Sequence, residues 1–450
     1  MIKRKAEDKI IRWIKDSNKA LLVSGARQVG KTFSIRRCLN EMKCNYLEIN
    51  LIEQPELIPV LEQSLSVNDL IVNLSLATNQ SLIKGETVIF IDEIQEVSDV
   101  ATRVKFWVDE GSFRYILSGS LLGIELRSLR SAPVGYLEEI EMFPLDFEEF
   151  LKASGVNNDV IRYLRRCFDK GDPVGELVHN KMMQHFRRYL VVGGMPDAVR
   201  EYIESGDITK VTVIQKNIIE LYKLDFTKYE SADKKLMIIS IYDELPSQLL
   251  KQNRRFNYSD IQKGLRFERL ESSFLWLVSA GVAIATYNAT EPRISLNQNK
   301  KSSLLKLYCS DVGLLTSQYG NTLRTKILFG DEKVNLGGIY ENAVAQELNS
   351  HGFKTYYYNS HKNGELDFII EEDFSVVPIE VKSGKDYYVH SAISKAVDNP
   401  EYAIKKAYIL NNYEVHIEDK LLYMPIYMSM FLKDDTELPI LEKITLIQQN

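Results

Sequence analysis

The sequence predicts an α/β protein with a parallel sheet near the amino terminus, a helical middle and a second α/β region at the carboxyl terminus. Three observations predict this class. Apolar strand-like runs alternate with helix-like segments over the first 142 residues, a glycine-rich turn follows the first run, and a second group of strand-like runs lies after residue 350. Such alternation is typical of a doubly wound sheet, which binds ligands at the carboxyl ends of its strands.

The first region supplies the elements of the predicted parallel sheet. Strand-like runs cover 20–24, 44–51, 86–93 and 113–120, and the run at 86–93 is apolar on both faces until it ends in two carboxylates. A continuous apolar strand indicates burial on both sides, as in a parallel sheet. Helical periodicity covers 5–15, 33–42, 57–76 and 101–110.

The turn after the first strand has the composition of a phosphate-binding loop. It matches G-x-x-x-x-G-K-[ST] between a strand and a helix, where backbone N–H groups and the helix N-terminus attract phosphate. We expect Lys31 to reach the β- and γ-phosphates of ATP and the Thr32 hydroxyl to bind Mg²⁺. The predicted nucleotide-binding residues are Gly25, Ala26, Arg27, Gln28, Val29, Gly30, Lys31, Thr32, Phe33 and Ser118.

The two carboxylates at the end of the 86–93 run are the expected partners of that loop. Asp92 is predicted to hold the Mg²⁺ ion with Thr32, and Glu93 to polarise the attacking water. Taken alone, the pair would also suit a buried strand followed by a solvated acidic turn. Ser118 or Ser120 would sense the γ-phosphate, or cap the next helix. Arg127 and Arg130 would supply a cation to this site or to a neighbouring copy in a homo-oligomer, or lie on a solvated helix face.

Composition limits the other classes of function. The apolar content of 45% and charged content of 26% are ordinary for a globular protein, and no run approaches the length of a membrane span. The amino terminus is charged and helical rather than apolar, so we expect no secretory signal. Four scattered cysteines without metal-binding spacing predict reduced thiols and a cytoplasmic protein.

The middle of the chain is predicted to hold two further units. Residues 143–204 are expected to form a helical lid, interrupted by a tight turn at 193–196, and residues 205–330 a helical, winged-helix-like domain with a strand pair at 282–287 and 306–309. The stretch 251–306 carries ten lysines and arginines against four acids. This basic surplus predicts DNA phosphate contacts, an ordinary solvated surface, or an interface with an acidic neighbour.

Residues 331–450 contain a second chemical pattern. A helix carrying Glu341 is followed by strands at 355–358, 364–370 and 376–382. If residues 368–379 form a hairpin, Asp367 lies opposite Glu380, and Lys382 shares the face of Glu380. The predicted roles are a second Mg²⁺ or Mn²⁺ ion held by Glu341, Asp367 and Glu380, with Lys382 stabilising charge or activating water. An acidic surface without chemistry is the plainer alternative.

These motifs together resemble a bacterial and archaeal family of AAA-type P-loop ATPases. The family ends in a domain of unknown function related to restriction endonucleases, of the D-x(n)-E-x-K type. The carriers are the segments 24–32, 90–95, 117–120, 143–150, 193–196 and 306–315, with the set Glu365, Asp367, Glu380 and Lys382. Many relatives carry Gly-Arg where this chain has Gly135-Tyr136. Which arginine, if any, supplies a cation to the nucleotide as a cationic finger is therefore left open.

The resemblance implies ATP binding, ATP hydrolysis and a nuclease-like carboxyl-terminal domain. With the residues above, it predicts an ATPase domain at 1–142, a lid at 143–204, a winged-helix-like unit at 205–330 and a nuclease-like domain at 331–450. The predicted catalytic residues are Lys31, Glu93, Asp367, Glu380 and Lys382. The competing hypothesis is an ATP-switched regulatory protein whose nuclease-like domain is inert.

Overall fold

The computed structural model describes residues 2–64, 66–97, 100–120, 135–226, 232–331, 334–385 and 387–434. Its amino-terminal part is a five-stranded sheet in which every neighbouring pair is parallel. The strands are β1 (Ala20–Ser24), β2 (Tyr46–Asn50), β3 (Val88–Asp92), β4 (Arg114–Ser118) and β5 (Leu137–Glu141). Their spatial order is β2-β3-β4-β1-β5, so the first strand lies between the fourth and the fifth.

Helices cover both faces of this sheet, and each strand predicted here from the sequence is present. The helices of this part are α1 (Lys5–Asp16), α2 (Lys31–Glu41), α3 (Ile58–Gln63), α4 (Val67–Thr78) and α5 (Val100–Glu110). The segment 57–76, predicted as one helix, is divided in two. The Ser66 hydroxyl accepts a hydrogen bond from the Asp69 backbone N–H at 3.1 Å and so starts a new helix.

The segment 143–204 is helical, as predicted. Its helices are α6 (Phe147–Ala153), α7 (Asn158–Lys170), α8 (Glu176–Val192) and α9 (Pro196–Ser205). Asp146 begins α6 through a capping box with Glu149, in which each side chain accepts from the other residue's backbone N–H. The predicted turn lies between α8 and α9, where Pro196 takes the first helical position.

The middle region continues with helices and a strand pair. It contains α10 (Ile208–Phe226), α11 (Ala232–Leu250), α12 (Phe267–Ser279), β6 (Ala283–Ala289), β7 (Lys300–Cys309), α13 (Val312–Ser317) and α14 (Asn321–Phe329). β6 and β7 are antiparallel, as expected, but β6 also pairs in parallel with β8 (Tyr356–Ser360). The strand pair is therefore part of the carboxyl-terminal sheet, and a boundary at 330/331 does not separate two sheets.

That carboxyl-terminal sheet is mixed and has eight strands. Those not yet described are β9 (Gly364–Glu372), β10 (Ser375–Val381), β11 (Ala407–Asn411), β12 (His416–Glu418) and β13 (Leu421–Pro425). The order in the sheet is β12-β13-β11-β10-β9-β8-β6-β7. Its first helix is α15 (Gly337–Ser350), and a second, α16 (Ser391–Asp398), lies beside β9. The predicted order of helix and three strands is confirmed.

The turn at Gly193-Gly194 joins three distant segments. A Cβ on Gly194 would lie 2.1 Å from the Leu145 carbonyl oxygen, and a Cβ on Gly193 would lie 2.2 Å from the Asp311 carboxylate. Asp311, which caps α13, accepts hydrogen bonds from the backbone N–H of Gly194 at 2.5 Å and of Leu314 at 2.8 Å. The small residues of this turn therefore allow the segments to pack closely and have no chemical role here.

Helix α15 is buried along nearly its whole length although it carries polar side chains. Glu347 accepts from the Phe147 backbone N–H at 2.7 Å, and Gln346 accepts from that of Val312 at 2.8 Å. Asn342 bonds both the N–H and the carbonyl of Cys309. These bonds satisfy backbone groups of the helical and middle regions, so α15 connects them to the carboxyl-terminal sheet.

Candidate functional site: a phosphate loop and an acidic cleft

The loop between β1 and α2 has the backbone that its glycines predict. Gly25 has φ of 135° and lies against Met142, whose carbonyl oxygen would be 2.2 Å from a Cβ at this position. Gly30 caps α2 in the left-handed conformation with φ of 92°. Both conformations disfavour a side chain, so the two glycines are required by the path of the loop. The N-terminus of α2 points its free N–H groups into this loop.

Lys31 is buried beneath the loop. Its ammonium donates hydrogen bonds to the carbonyl oxygens of Gly25 and Ala26, both at 2.9 Å. Burial lowers the pKa of Lys31 to about 8 and outweighs the attraction of Glu93 and Asp92. A cation held in a desolvated position gains strongly from an anionic ligand nearby.

Asp92, Thr32 and Ser118 form one hydrogen-bonded group at the carboxyl ends of adjacent parallel strands. The Thr32 hydroxyl donates to Asp92 Oδ2 at 2.7 Å, and the Ser118 hydroxyl donates to Asp92 Oδ1. Asp92 pairs directly with Ser118 in the ladder between β3 and β4. Of the two serines considered from the sequence, Ser118 is therefore the one that contacts the predicted metal-binding carboxylate.

Glu93 follows Asp92 in a left-handed conformation, with φ of 58°. Its backbone N–H donates to Asp92 Oδ1 at 3.1 Å, and its carboxylate accepts from the side-chain amide of Gln95. Positive φ is uncommon for a non-glycine residue and concentrates at functional sites. The strand end thus turns Glu93 sharply away from β3, beside Lys31 and Asp92.

The other predicted loop residues differ in exposure. Ala26 and Val29 are buried, Gln28 has a positive φ of 68°, and the Phe33 side chain is half exposed, at 51%. Arg127 and Arg130, the predicted cationic fingers, lie outside the described residues.

Arg4 is a residue of this site that the sequence patterns did not reveal. Its side chain is buried and donates to the Val29 carbonyl at 2.8 Å and to the Phe143 carbonyl at 2.6 Å, with an ion pair to Glu149 at 3.2 Å. Arg4 precedes α1 and belongs to no motif or periodic pattern. Only the folded chain brings it beneath the loop.

The carboxyl-terminal constellation lines a cleft of about 720 Å³. β9 and β10 pair in the register that places Asp367 opposite Glu380, as predicted, since these residues come next after the Phe368–Ile379 pair of the ladder. Asp367 accepts from the Val381 backbone N–H at 2.9 Å, and Lys382 contacts Glu380 at 2.8 Å. Glu380 Oε2 is buried and has no hydrogen-bond partner among the described residues. Burial and the nearby Asp367 raise the pKa of Glu380, against the attraction of Lys382.

Two cations from the basic stretch 251–306, Lys306 and Arg254, reach carboxylates of this cleft, which fits the expected alternative of an acidic neighbour. The fully buried Lys306 ammonium lies 2.6 Å from Glu365, 3.7 Å from Glu341 and 3.9 Å from Asp367. Arg254 pairs with the other oxygen of Glu341. Lys306 lies between the buried, apolar Leu305 and Leu307. A lysine within an apolar strand is the feature of the sequence that indicates its buried position.

Both oxygens of Glu341 are thus engaged, because Oε2 also accepts from the Tyr308 hydroxyl at 3.0 Å. Burial and Asp367 raise the pKa of Glu341, although Lys306 and Arg254 oppose that shift. Among the described residues, no three His, Cys, Asp or Glu side chains are arranged to hold a metal ion. The structure therefore does not support Glu341 as a metal ligand.

The basic surplus at 251–306 is smaller in the folded chain than in the sequence. Arg254 and Lys306 face the cleft carboxylates, while Lys251 pairs with Asp260 and Arg293 pairs with two glutamates. Asp260 is one of the four acids already counted in the stretch, so the surplus is reduced only where Arg254, Lys306 and Arg293 meet acids outside it. The remaining charge gives DNA contact less support than the composition suggested.

Comparison with known proteins shows what the separate parts of the chain are similar to. Residues 17–151 match the profile of an AAA domain. The amino-terminal third of the chain is thus similar to an AAA domain. This part of the resemblance, an AAA-type P-loop ATPase, is supported. Residues 183–325 and 336–428 match two domains of unknown function, DUF8612 and DUF4143, and neither match tests the predicted nuclease relationship.

Similarity to two further proteins extends over most of the chain. An uncharacterized protein of Methanocaldococcus jannaschii is 23% identical over 387 residues, which cover 82% of this chain and 75% of the relative. A solved structure, the Walker-type ATPase PABY2304 of Pyrococcus abyssi, aligns with a TM-score of 0.42 and 16% identity over 71% of this chain and 96% of that one. No described helix has the length and apolar character needed to cross a membrane.

Proposed function

We propose that this protein hydrolyses ATP with Mg²⁺ and that its carboxyl-terminal cleft responds to the state of the nucleotide. The observation that carries the proposal is the Thr32–Asp92–Ser118 group beside Lys31, at the carboxyl ends of parallel strands. A hydroxyl and a carboxylate supply the hard oxygen ligands that Mg²⁺ prefers. Thr32 and Asp92 would hold the ion, which would neutralise charge on the phosphates.

The remaining residues have roles that follow from their places. Loop N–H groups bind phosphate oxygens, and Lys31 exchanges its bonds to the Gly25 and Ala26 carbonyls for bonds to the phosphates. Glu93 orients the attacking water, with Gln95 fixing its carboxylate. Phosphoryl transfer depends mainly on such positioning and charge stabilisation.

A second candidate function is metal-dependent binding and cutting of nucleic acid, with DNA as the first substrate to test. It is favoured by the unpartnered, buried Glu380 Oε2, which shares a cleft with Asp367 and Lys382 in the described part of the chain. A Mg²⁺ or Mn²⁺ ion would be held by Asp367 and Glu380, and Lys382 would stabilise developing charge. Glu341 has its oxygens engaged and is left out of this ligand set.

A set of polar contacts joins the phosphate loop to the carboxyl end of α15, the helix that carries Glu341 of the cleft. Arg4 bonds both Val29 of the loop and Glu149, and the Glu149 carboxylate accepts from the backbone N–H of Lys5. Lys5 pairs with Asp146, which contacts His351 beside α15. Because α15 carries Glu341, a displacement at the loop has a physical path to the cleft.

The alternative is a regulatory protein in which ATP is a switch and the cleft is inert. It is favoured by Lys306 and Arg254, which already neutralise part of the acidic cluster. Slow turnover with tight nucleotide binding, and no cutting with either metal, would favour this alternative.

The main proposal is tested by measuring phosphate release from ATP with Mg²⁺, alone and with single- or double-stranded DNA. We expect release by the wild type and loss in Lys31→Ala. Stimulation by one form of DNA would link the two halves. Nicking of plasmid DNA with Mg²⁺ or Mn²⁺, abolished in Asp367→Asn but not in the neighbouring Asp373→Asn, would support the second function.

A further inference from the structure

The middle region packs directly on the phosphate loop. The Tyr222 hydroxyl of α10 donates to the Arg27 carbonyl at 3.1 Å, and the Asp225 carboxylate lies 2.7 Å from Arg27 Nε. In the turn after α12, a Cβ on Gly281 would lie 3.1 Å from the Ala26 backbone nitrogen. Two separate elements therefore cover the side of the loop that carries Ala26 and Arg27.

Little space is left between the loop and these two covering elements. The void there measures about 10 Å³, which is close to the smallest volume that holds one water molecule. It is lined by Arg27 of the loop, by Ser120 after β4 and by residues of the covering helices that include Tyr222, Asp225 and Trp276. For a phosphate group to bind on this side of the loop, α10 or the turn after α12 would have to move.

On this side of the loop, the charge of Asp225 disfavours the approach of a second anion such as a phosphate. The Asp225 side chain is 7% exposed and lies near enough to Lys31 to attract its ammonium. Nucleotide phosphates held by Lys31 would therefore repel Asp225 and attract the Arg27 guanidinium, which Asp225 now binds. In a desolvated site, such repulsion between like charges is weakly screened.

The far part of α10 is fixed to a different region. The Gln215 side-chain amide donates to the carbonyls of Val191 and Val192 at 3.0 and 2.8 Å, beside the Gly193 turn. Its carbonyl oxygen accepts from Arg324 at 2.8 Å. A change at the Asp225 end of α10 therefore acts on a helix anchored to the segment that contacts Asp311 and Leu145.

We propose that Asp225 competes with the nucleotide phosphates for Arg27, so that nucleotide binding releases the end of α10 from the phosphate loop. This inference rests on the proposed ATP binding and adds regulation to that same site. Asp225 is a positioning residue in this scheme, since it acts on Arg27 and makes no bond to the reacting atoms.

The test compares the affinity for ATP plus Mg²⁺ of the wild type, Asp225→Asn and Glu220→Gln by titration calorimetry. The asparagine keeps the shape of Asp225 without its charge, and Glu220 is a 70% exposed acid on the same helix. We expect Asp225→Asn to bind about fivefold or more tightly, the lower range of typical coupling between sites. The control should match the wild type. Unchanged or weaker binding by Asp225→Asn would overturn the proposal.

A second measurement does not depend on a variant that folds well. Amide hydrogen exchange of the wild type should become faster at 222–226 when ATP and Mg²⁺ are added, because the contact with the loop is released. Slower exchange there would mean that α10 closes on the nucleotide, and would overturn the proposal. Absence of any ATP binding by the wild type would instead remove the proposed function itself.

Discussion

Arg4 donates a hydrogen bond from Nη1 to the Val29 carbonyl of the phosphate loop, at 2.8 Å. The same guanidinium is paired with Glu149 and bonded to the Phe143 carbonyl. One buried cation thus ties the segment before α1, the loop and the start of α6 together. The loop is supported from below by a residue far from its own motif.

Replacing Arg4 by Met should destabilise the protein substantially. The change leaves the buried Glu149 without this cation, and removal of one partner from a buried pair costs about 3–5 kcal/mol. Urea denaturation of Arg4→Met measures the cost. Lys3→Met is the matched control, because the Lys3 side chain is 66% exposed, and its effect should stay within about 0.5 kcal/mol. Equal effects of the two changes would contradict the assigned role.

Replacing Glu93 by Gln should separate nucleotide binding from turnover. Loss of the carboxylate should slow phosphate release by about 100-fold or more, since a positioned base contributes 10²–10⁴-fold. ATP binding should persist, because Lys31, Thr32 and Asp92 are unchanged. Single-turnover assays and calorimetry measure the two effects. Glu96→Gln, three residues on, should behave as the wild type, and a slow Glu96 variant with a fast Glu93 variant would reverse the assignment.

Gly194→Ala should be poorly tolerated for a steric reason alone. The new Cβ would lie 2.1 Å from the Leu145 carbonyl oxygen, so the turn or α6 must shift. We expect a loss of about 3 kcal/mol in the free energy of unfolding, at the upper end of overpacking costs. Gly320→Ala is the control, since no described atom lies within 4 Å of the position that its Cβ would take. Similar unfolding midpoints for the two variants would show that the turn adapts.

His351 should make stability depend on pH. Its Nδ1 faces the Leu432 carbonyl at 2.6 Å and its Nε2 faces Asp146 at 3.3 Å, so both nitrogens meet acceptors. Burial lowers the pKa of His351, but Asp146 and Glu347 outweigh it, and the pKa is raised. Because the pKa of His351 is raised in the folded state, the protonated imidazole stabilises the fold fully below the unfolded-state pKa of about 6.5. This stabilisation is lost as the pH rises through the folded-state pKa.

The cost of His351→Gln should therefore be greatest below about pH 6.5, at about 2 kcal/mol for a charged hydrogen bond, and should shrink at higher pH. Urea denaturation at several pH values measures it. His361→Gln, at an exposed histidine, serves as the control. A cost that is constant or increases with pH would contradict the protonated pair.

The sequence predicted the parts of both sites that depend on local patterns. The hairpin expected over 368–379 predicted the register of Asp367 and Glu380, and the hairpin turns at Asp373-Phe374, where both residues have positive φ. The loop glycines and the apolar run before Asp92 likewise follow from short-range geometry. Patterns of this kind can be predicted from the sequence because residues close together in the chain constrain each other's conformation directly.

The rest depends on contacts between residues far apart in the chain. Lys306 and Arg254 belong to the basic stretch for which DNA contact, a solvated surface and an acidic neighbour were all open, and both are turned inward by Glu341 on α15. No spacing rule connects those positions before the eight-stranded sheet forms. For the same reason, the covering of Arg27 by Asp225 and the addition of β6 to β8 were not foreseen.

The function proposed for this protein depends on ATP binding with Mg²⁺ by the 25–32 loop. Titration calorimetry of the folded full-length chain with ATP and Mg²⁺ tests it most directly. We predict binding of one nucleotide per chain, abolished by Lys31→Ala and retained by Glu93→Gln. No detectable binding by the wild type, or undiminished binding by Lys31→Ala, would contradict it.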